Sequence, residues 1–231
     1  MIHKHISGAV LLLVFAIGPP ASGVPIDQVK YFNGIPNFNQ PLVFEEFNDQ
    51  GGALTLESIQ VLLSLDIEGG YLTVDNDGAE PAHVVVQLGA IAGISSFDVP
   101  LINILLQPVV GTVTASTGST FDLGAEDGDG PNNVDQSPLD GARHDGGADH
   151  DDDNGFITPQ AFGAYTGIGT YTISVDALQI LDFGGIGGVE GSFSAVAANG
   201  FVEVIYNYTP EPGSLALLAL GLAGVRARRR G

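Results

Sequence analysis

The side chains best suited to chemistry in this chain are the carboxylates and imidazoles gathered in residues 122–155. Asp122, Glu126, Asp127, Asp129, Asp135, Asp140, Asp145, Asp149, Asp151, Asp152 and Asp153 stand there among glycine and asparagine, with His144 and His150. Hard oxygen ligands in this density suit Ca²⁺, which takes about 6 to 8 of them at ~2.4 Å. The sharpest candidate is Asp149, Asp151 and Asp153, which fill the first three ligand positions of an EF-hand-type loop. The register then fails, because Asn154 occupies the place of the turn glycine and Gln160 that of the closing glutamate. Asp75-Asn76-Asp77-Gly78 and Asp127-Gly128-Asp129-Gly130 each lack the third spaced ligand. Two readings therefore stand for 122–155: a loose calcium site, or a solvated acidic loop between strands. His144 and His150 have the chemistry to ligate a transition metal beside those aspartates, and are read as exposed loop residues. His83 is read as a residue on a strand face.

Signals for catalysis are sparse. Glycoside hydrolysis needs two carboxylates about 5 to 9 Å apart, one of them in an apolar setting. Asp176 and Asp182 are the least loop-like acids, yet turn capping accounts for them equally well. The chain has no Gly-x-Ser-x-Gly elbow, no His-Glu-x-x-His and no phosphate-binding glycine loop. It has no cysteine, hence no thiol nucleophile and no disulfide. Tyr71, Tyr165, Tyr171, Tyr206 and Tyr208 have the faces to stack on sugars, but they are expected in the core or in cross-strand pairs. The absence of Trp weakens a carbohydrate platform further.

The elements that would position these residues lie between two hydrophobic ends. Residues 1–23 carry Lys4, an apolar run over 9–17, a Gly-Pro-Pro break and then Ala21-Ser22-Gly23, the pattern of a signal peptide cut before Val24 by signal peptidase. At the other end, Pro210-Glu211-Pro212 precedes an uncharged run of 13 residues, 213–225, and then Arg226, Arg228, Arg229 and Arg230. As a helix that run spans about 20 Å against a hydrocarbon core of about 30 Å, a short hold rather than a comfortable anchor. Arginines beyond it resist translocation and keep the tail on the cytoplasmic side. Residues 209–231 resemble the PEP-CTERM sorting domain. The resemblance implies recognition by an exosortase, transient residence of the tail in the inner membrane, its removal, and delivery to the cell surface or extracellular matrix.

With both ends set aside, residues 24–208 form one folding unit of ordinary domain length. Lys30 and Arg143 remain as its only Lys or Arg, against 26 carboxylates, a net charge of −24. Such a field repels nucleic acid and anionic lipid and attracts cations. Strand signals recur at 42–47, 53–67, 71–74, 83–88, 109–115, 171–177, 191–198 and 201–208, separated by Gly, Asn and Asp. Val61, Leu63, Leu65 and Ile67 alternate with Leu62, Ser64 and Asp66, and Val202, Val204, Tyr206 and Tyr208 share one face. Residues 24–41 read as a turn-rich lead-in. The expected fold is all-β, a single antiparallel β-sandwich of jelly-roll type, with a short hydrophobic helix at the C-terminus.

Three stretches carry a second resemblance. Gly52-Ala53-Leu54-Thr55-Leu56-Glu57-Ser58-Ile59, then 164–175 (AYTGIGTYTISV), then Val204-Ile205-Tyr206-Asn207-Tyr208-Thr209 are similar to the choice-of-anchor E domain of bacterial surface proteins. That family implies an extracellular domain with interchangeable anchoring signals and supplies no site residues. The expectation is thus a non-catalytic surface or matrix protein that contacts cations or exopolysaccharide. A secreted carbohydrate-binding module or glycoside hydrolase on the same sandwich is the alternative.

Overall fold

The computed structural model describes residues 23–211 apart from 129, 131, 132, 135, 137, 138, 185 and 186. The expected signal peptide up to Ser22, Pro212, the apolar run, its expected helix and Arg226, Arg228, Arg229 and Arg230 lie outside the described residues, as do Asp129 and Asp135.

Among the described residues eleven strands follow one another: β1 (Ile26–Gly34), β2 (Phe38–Glu45), β3 (Leu54–Glu68), β4 (Tyr71–Asn76), β5 (Ala82–Ser95), β6 (Val113–Leu123), β7 (Gly141–Asp145), β8 (Asp149–Phe156), β9 (Thr170–Asp182), β10 (Val189–Ser194) and β11 (Ala197–Pro210). The one helical element among the described residues is a 3₁₀ turn, Pro159–Ala164. Two four-stranded antiparallel sheets, ordered β1-β11-β3-β8 and β2-β9-β5-β6, pack as a sandwich. The remaining strands form a small third sheet, β10-β4-β7. Without those three insertions the eight sandwich strands run 1-8-3-6 and 2-7-4-5, the order of a jelly roll. Each insertion falls in a connection at the same end of the sandwich, so the third sheet sits there as an extension.

Alternation explains the sheets. Val61, Leu63, Leu65 and Ile67 on β3 are at most 1% exposed, and Val202, Val204 and Tyr206 on its partner β11 are fully buried. Fully burying each such side chain contributes about 1.5–3 kcal/mol. Opposite them, Val175, Ile173 and Tyr171 of β9 and Leu88 and Ala90 of β5 complete one core. A second, smaller core of Leu72, Val74, Val84, Val86 and Leu123 lies under the third sheet.

The acidic segment departs from the loop expected for it. It supplies the end of β6, all of β7 and most of β8, and β8 pairs with β3 in the register Leu63↔Asp153 and Leu65↔Asp151. Aspartates tolerate this because β8 is an edge strand, with its remaining polar groups free to meet solvent or another edge. The lead-in likewise holds a strand, β1, which pairs with β11 from Ile26↔Tyr206 to Gly34↔Ala198. The strand expected at 109–115 begins only at Val113.

Candidate functional site

The sorting junction is built into the sheet. Pro210 is the last residue of β11, opposite Leu54. A proline is accommodated because β1 starts its pairing at Tyr206, so no partner needs the missing N–H. Beyond it the Glu211 amide donates to the Ala53 carbonyl at 2.9 Å. The Thr55 hydroxyl donates to the Glu211 carboxylate, and the Thr209 hydroxyl donates to Glu57 at 2.8 Å. The start of the tail is therefore held by the domain until Glu211, and Pro212 follows at once. The other terminus leaves from the same place, since the Gly23 amide donates to the Tyr208 carbonyl at 3.1 Å.

The three aspartates singled out for calcium lie along the seam between the two sheets. Asp149, Asp151 and Asp153 occupy alternate positions of β8 and reach across to the edge of the opposite sheet. There they accept the backbone N–H groups of Ser116 at 2.8 Å, Thr114 at 2.7 Å and Gly111 at 2.6 Å. The i, i+2, i+4 spacing of a strand puts successive side chains about 6.6 Å apart, so the carboxylates form a row and do not surround a point. Among the described residues no group of three or more His, Cys, Asp or Glu side chains is placed to hold a metal ion. The close approach of the two edges is visible at Gly155, where a Cβ would sit 2.0 Å from the Val109 carbonyl oxygen.

The opposite seam is closed by amides. The Gln28 side chain donates to the Glu45 carbonyl and accepts the Glu45 N–H, both at 2.8 Å. Gln40 donates to the Tyr31 carbonyl and accepts the Asn33 N–H, both at 3.4 Å. Side chains thus satisfy edge-strand groups that would otherwise template pairing with another chain.

The tyrosines are structural. Tyr165, Tyr171 and Tyr206 are at most 2% exposed. The Tyr171 and Tyr206 hydroxyls lie 2.7 Å apart, Tyr206 donates to the Glu45 carbonyl, and Tyr165 donates to the Pro100 carbonyl. Burial, which disfavours the phenolate, pushes Tyr206 up to about 12 and raises Tyr165 and Tyr171 further. Tyr71 lies under the Arg143 guanidinium, 4.0 Å from ring centroid to Cζ. Tyr208 packs on Phe47.

The histidines separate. His144, expected as an exposed loop residue, is buried on β7, its two ring nitrogens 3.0 Å from the Thr117 hydroxyl and 2.9 Å from that of Ser119. It fastens the third sheet to β6. His150 is exposed, with Nδ1 2.9 Å from Asp66 and Nε2 3.3 Å from Asp152, and the Asp66 hydrogen bond raises its pKa. His83 lies on an exposed strand face, 2.6 Å from Asp122. Asp176 accepts from the Asn39 amide at 2.6 Å and Asp182 caps the Gly184 N–H at 3.0 Å. Six residues of extended strand separate them by about 20 Å, beyond any glycosidase pair.

Comparison with known proteins fits the junction. Residues 209–230 match the PEP-CTERM protein-sorting motif. This is a sorting signal recognised by exosortase, and it implies a protein sorted to the cell surface or extracellular space. No curated protein matches the chain. Among solved structures, the T13 IBDV viral particle shares 14% identity over 81% of this chain and 40% of that chain, with a TM-score of 0.14. The infectious bursal disease virus Gx strain shares 14% identity over 87% of this chain and 48% of that one, with a TM-score of 0.13. The chain spans under half the length of these proteins, and likenesses at such TM-scores carry no argument. No helix among the described residues is long and apolar enough to cross a membrane.

Proposed function

We propose that this is a non-catalytic β-sandwich of the cell surface or extracellular matrix, exported by its signal peptide and held for a time in the inner membrane by residues 213–225. Exosortase then removes the tail. The observation that carries this reading is the junction itself: a strand ends at Pro210, Glu211 is bonded to Ala53 and Thr55, and in the sequence Pro212, an apolar run and arginines follow. The resemblance of the body to the choice-of-anchor E domain belongs to the same proposal. A net charge of −24 on residues 24–208 supports contact with cations and, through them, with anionic exopolysaccharide.

The alternative, a sugar-binding module or hydrolase, draws no support from the buried tyrosines or from Asp176 and Asp182. The test is expression in an exosortase-bearing host. Replacing Pro210, Glu211 and Pro212 by alanine should leave the protein in the membrane fraction, whereas the wild type reaches the surface or medium. Equal delivery of both would overturn the proposal, and a glycan array positive for neutral sugars would favour the alternative.

A further inference from the structure

The loops at the end of the sandwich where the chain leaves present apolar side chains to solvent. Strand pairing places the starts of β1, β3, β6 and β9 and the ends of β2, β5, β8 and β11 together there. From this end project Phe97, Phe156 and Ile168, all exposed, together with Ile104, Leu105 and Leu106 at 72%, 72% and 75% exposure. Three consecutive large apolar residues at a loop tip are costly in water and call for a partner surface.

That tip is rigid. Asn103 holds it by accepting the N–H groups of Leu105 at 2.9 Å and Gln107 at 3.2 Å through its side-chain oxygen, and the Asn103 amide donates to the Gln107 carbonyl at 2.9 Å. Leu106 has φ of +59°, a left-handed conformation that disfavours leucine and would suit glycine. The Thr158 amide ties the base of the loop to the rest by donating to the Ile102 carbonyl at 2.9 Å. Preordering of this kind reduces the entropy lost on docking.

We propose that this end is a lipid-facing surface, which seats the body on a zwitterionic bilayer while the tail is inserted. This rests on residues 213–225 being membrane-directed. Glu57 accepts from Thr209 at the junction and lines the same groove as Ile104 and Leu105, so the tip lies beside the junction. Gly23, the exit toward the apolar residues 9–17, is bonded to Tyr208 alongside. Two carboxylates at this end accept backbone N–H groups, Glu46 that of Gly169 at 2.9 Å and Asp98 that of Thr172 at 2.8 Å. The net charge of the body selects neutral over anionic headgroups. Docking would hold the short tail at a fixed height for its protease.

The chain contains no Trp, so single tryptophans report cleanly. Full-length Leu105→Trp, Phe97→Trp and, at the far turn, Ile35→Trp are each reconstituted with phosphatidylcholine vesicles carrying brominated acyl chains. Leu105→Trp and Phe97→Trp should shift to the blue and be quenched, with Ile35→Trp unaffected. Adding Ile104→Ser, Leu105→Ser and Leu106→Ser to Phe97→Trp should lower its quenching severalfold. Unshifted emission at 97 and 105 while the chain floats with the vesicles overturns the docking alone, as does equal quenching at 35 or no effect of the serines. A chain that fails to float overturns the membrane reading of the tail, and the docking with it.

Discussion

Replacing Asp149, Asp151 and Asp153 together by alanine removes three acceptors from the edge of β6 and leaves the N–H groups of Gly111, Thr114 and Ser116 without those partners. Hydrogen bonds to charged groups contribute about 1.5–3 kcal/mol when sheltered. Asp149 is exposed and the other two half-buried, so about 1 kcal/mol each is appropriate after solvent screening. The sum, about 3 kcal/mol, lowers Tm by roughly 6–12 °C in a domain of this size. An opposing effect must be separated, because removing three negative charges from a strongly anionic body relieves self-repulsion. The triple asparagine variant does this: it loses the same charge and keeps a carbonyl acceptor at each position. Differential scanning calorimetry should therefore place the melting temperatures in the order wild type, asparagine, alanine. Calcium should act on all three alike, since cations drawn by the net charge of the body do not need the row at 149, 151 and 153. An alanine variant that melts like the wild type refutes the seam. Calcium stabilisation seen in the wild type and lost in the alanine variant would place an ion at these three residues.

Other perturbations test other parts of the fold. Tyr206→Phe removes the partner of the buried Tyr171 hydroxyl and one of the two donors to the Glu45 carbonyl, and should cost about 1–3 kcal/mol in urea denaturation, with Tyr171→Phe/Tyr206→Phe costing less than the sum of the single variants. Because the folded-state pKa values of the buried tyrosines are raised, their contribution is complete below about pH 10, where unfolded tyrosine begins to ionise, and is lost as pH rises above it. Alkaline melting should show that decline, flattened in the Tyr206→Phe variant. His150, with its pKa raised chiefly by Asp66, contributes stability below its ordinary value of 6.5 that disappears as pH rises through the folded value. Its NMR titration midpoint should fall in Asp66→Asn, and no movement would remove the ion pair from consideration.

Where burial dictates residue type, the fold can be read directly. β3 and β11 announce themselves because every second residue of Val61–Ile67 and Val202–Tyr206 is an apolar side chain pointing at the opposite sheet. β1 is hidden because it is an edge strand whose fully buried side chain is Phe32 alone, with Val29 and Tyr31 exposed. β8 is harder still. Its period of two is written in aspartates, a pattern as natural to a ligand row as to a strand, and only the position of β6 across the seam tells the two apart. Strand order was equally out of local reach, since β1 pairs with β11 from the far end of the sequence. His144 could not be placed for the same reason: Thr117 and Ser119, which hold it, belong to another sheet. The junction at Pro210 was legible because a sorting motif is a linear pattern, and its docking into the sheet through Thr55 and Glu57 was not.

The intact mass of the native protein recovered from cells with exosortase tests delivery as a whole. A sorted surface protein should give a chain beginning at Val24 and lacking Arg226, Arg228, Arg229 and Arg230, well below the full 23.8 kDa. A cell-associated species of the full mass, with its arginines intact, would contradict it.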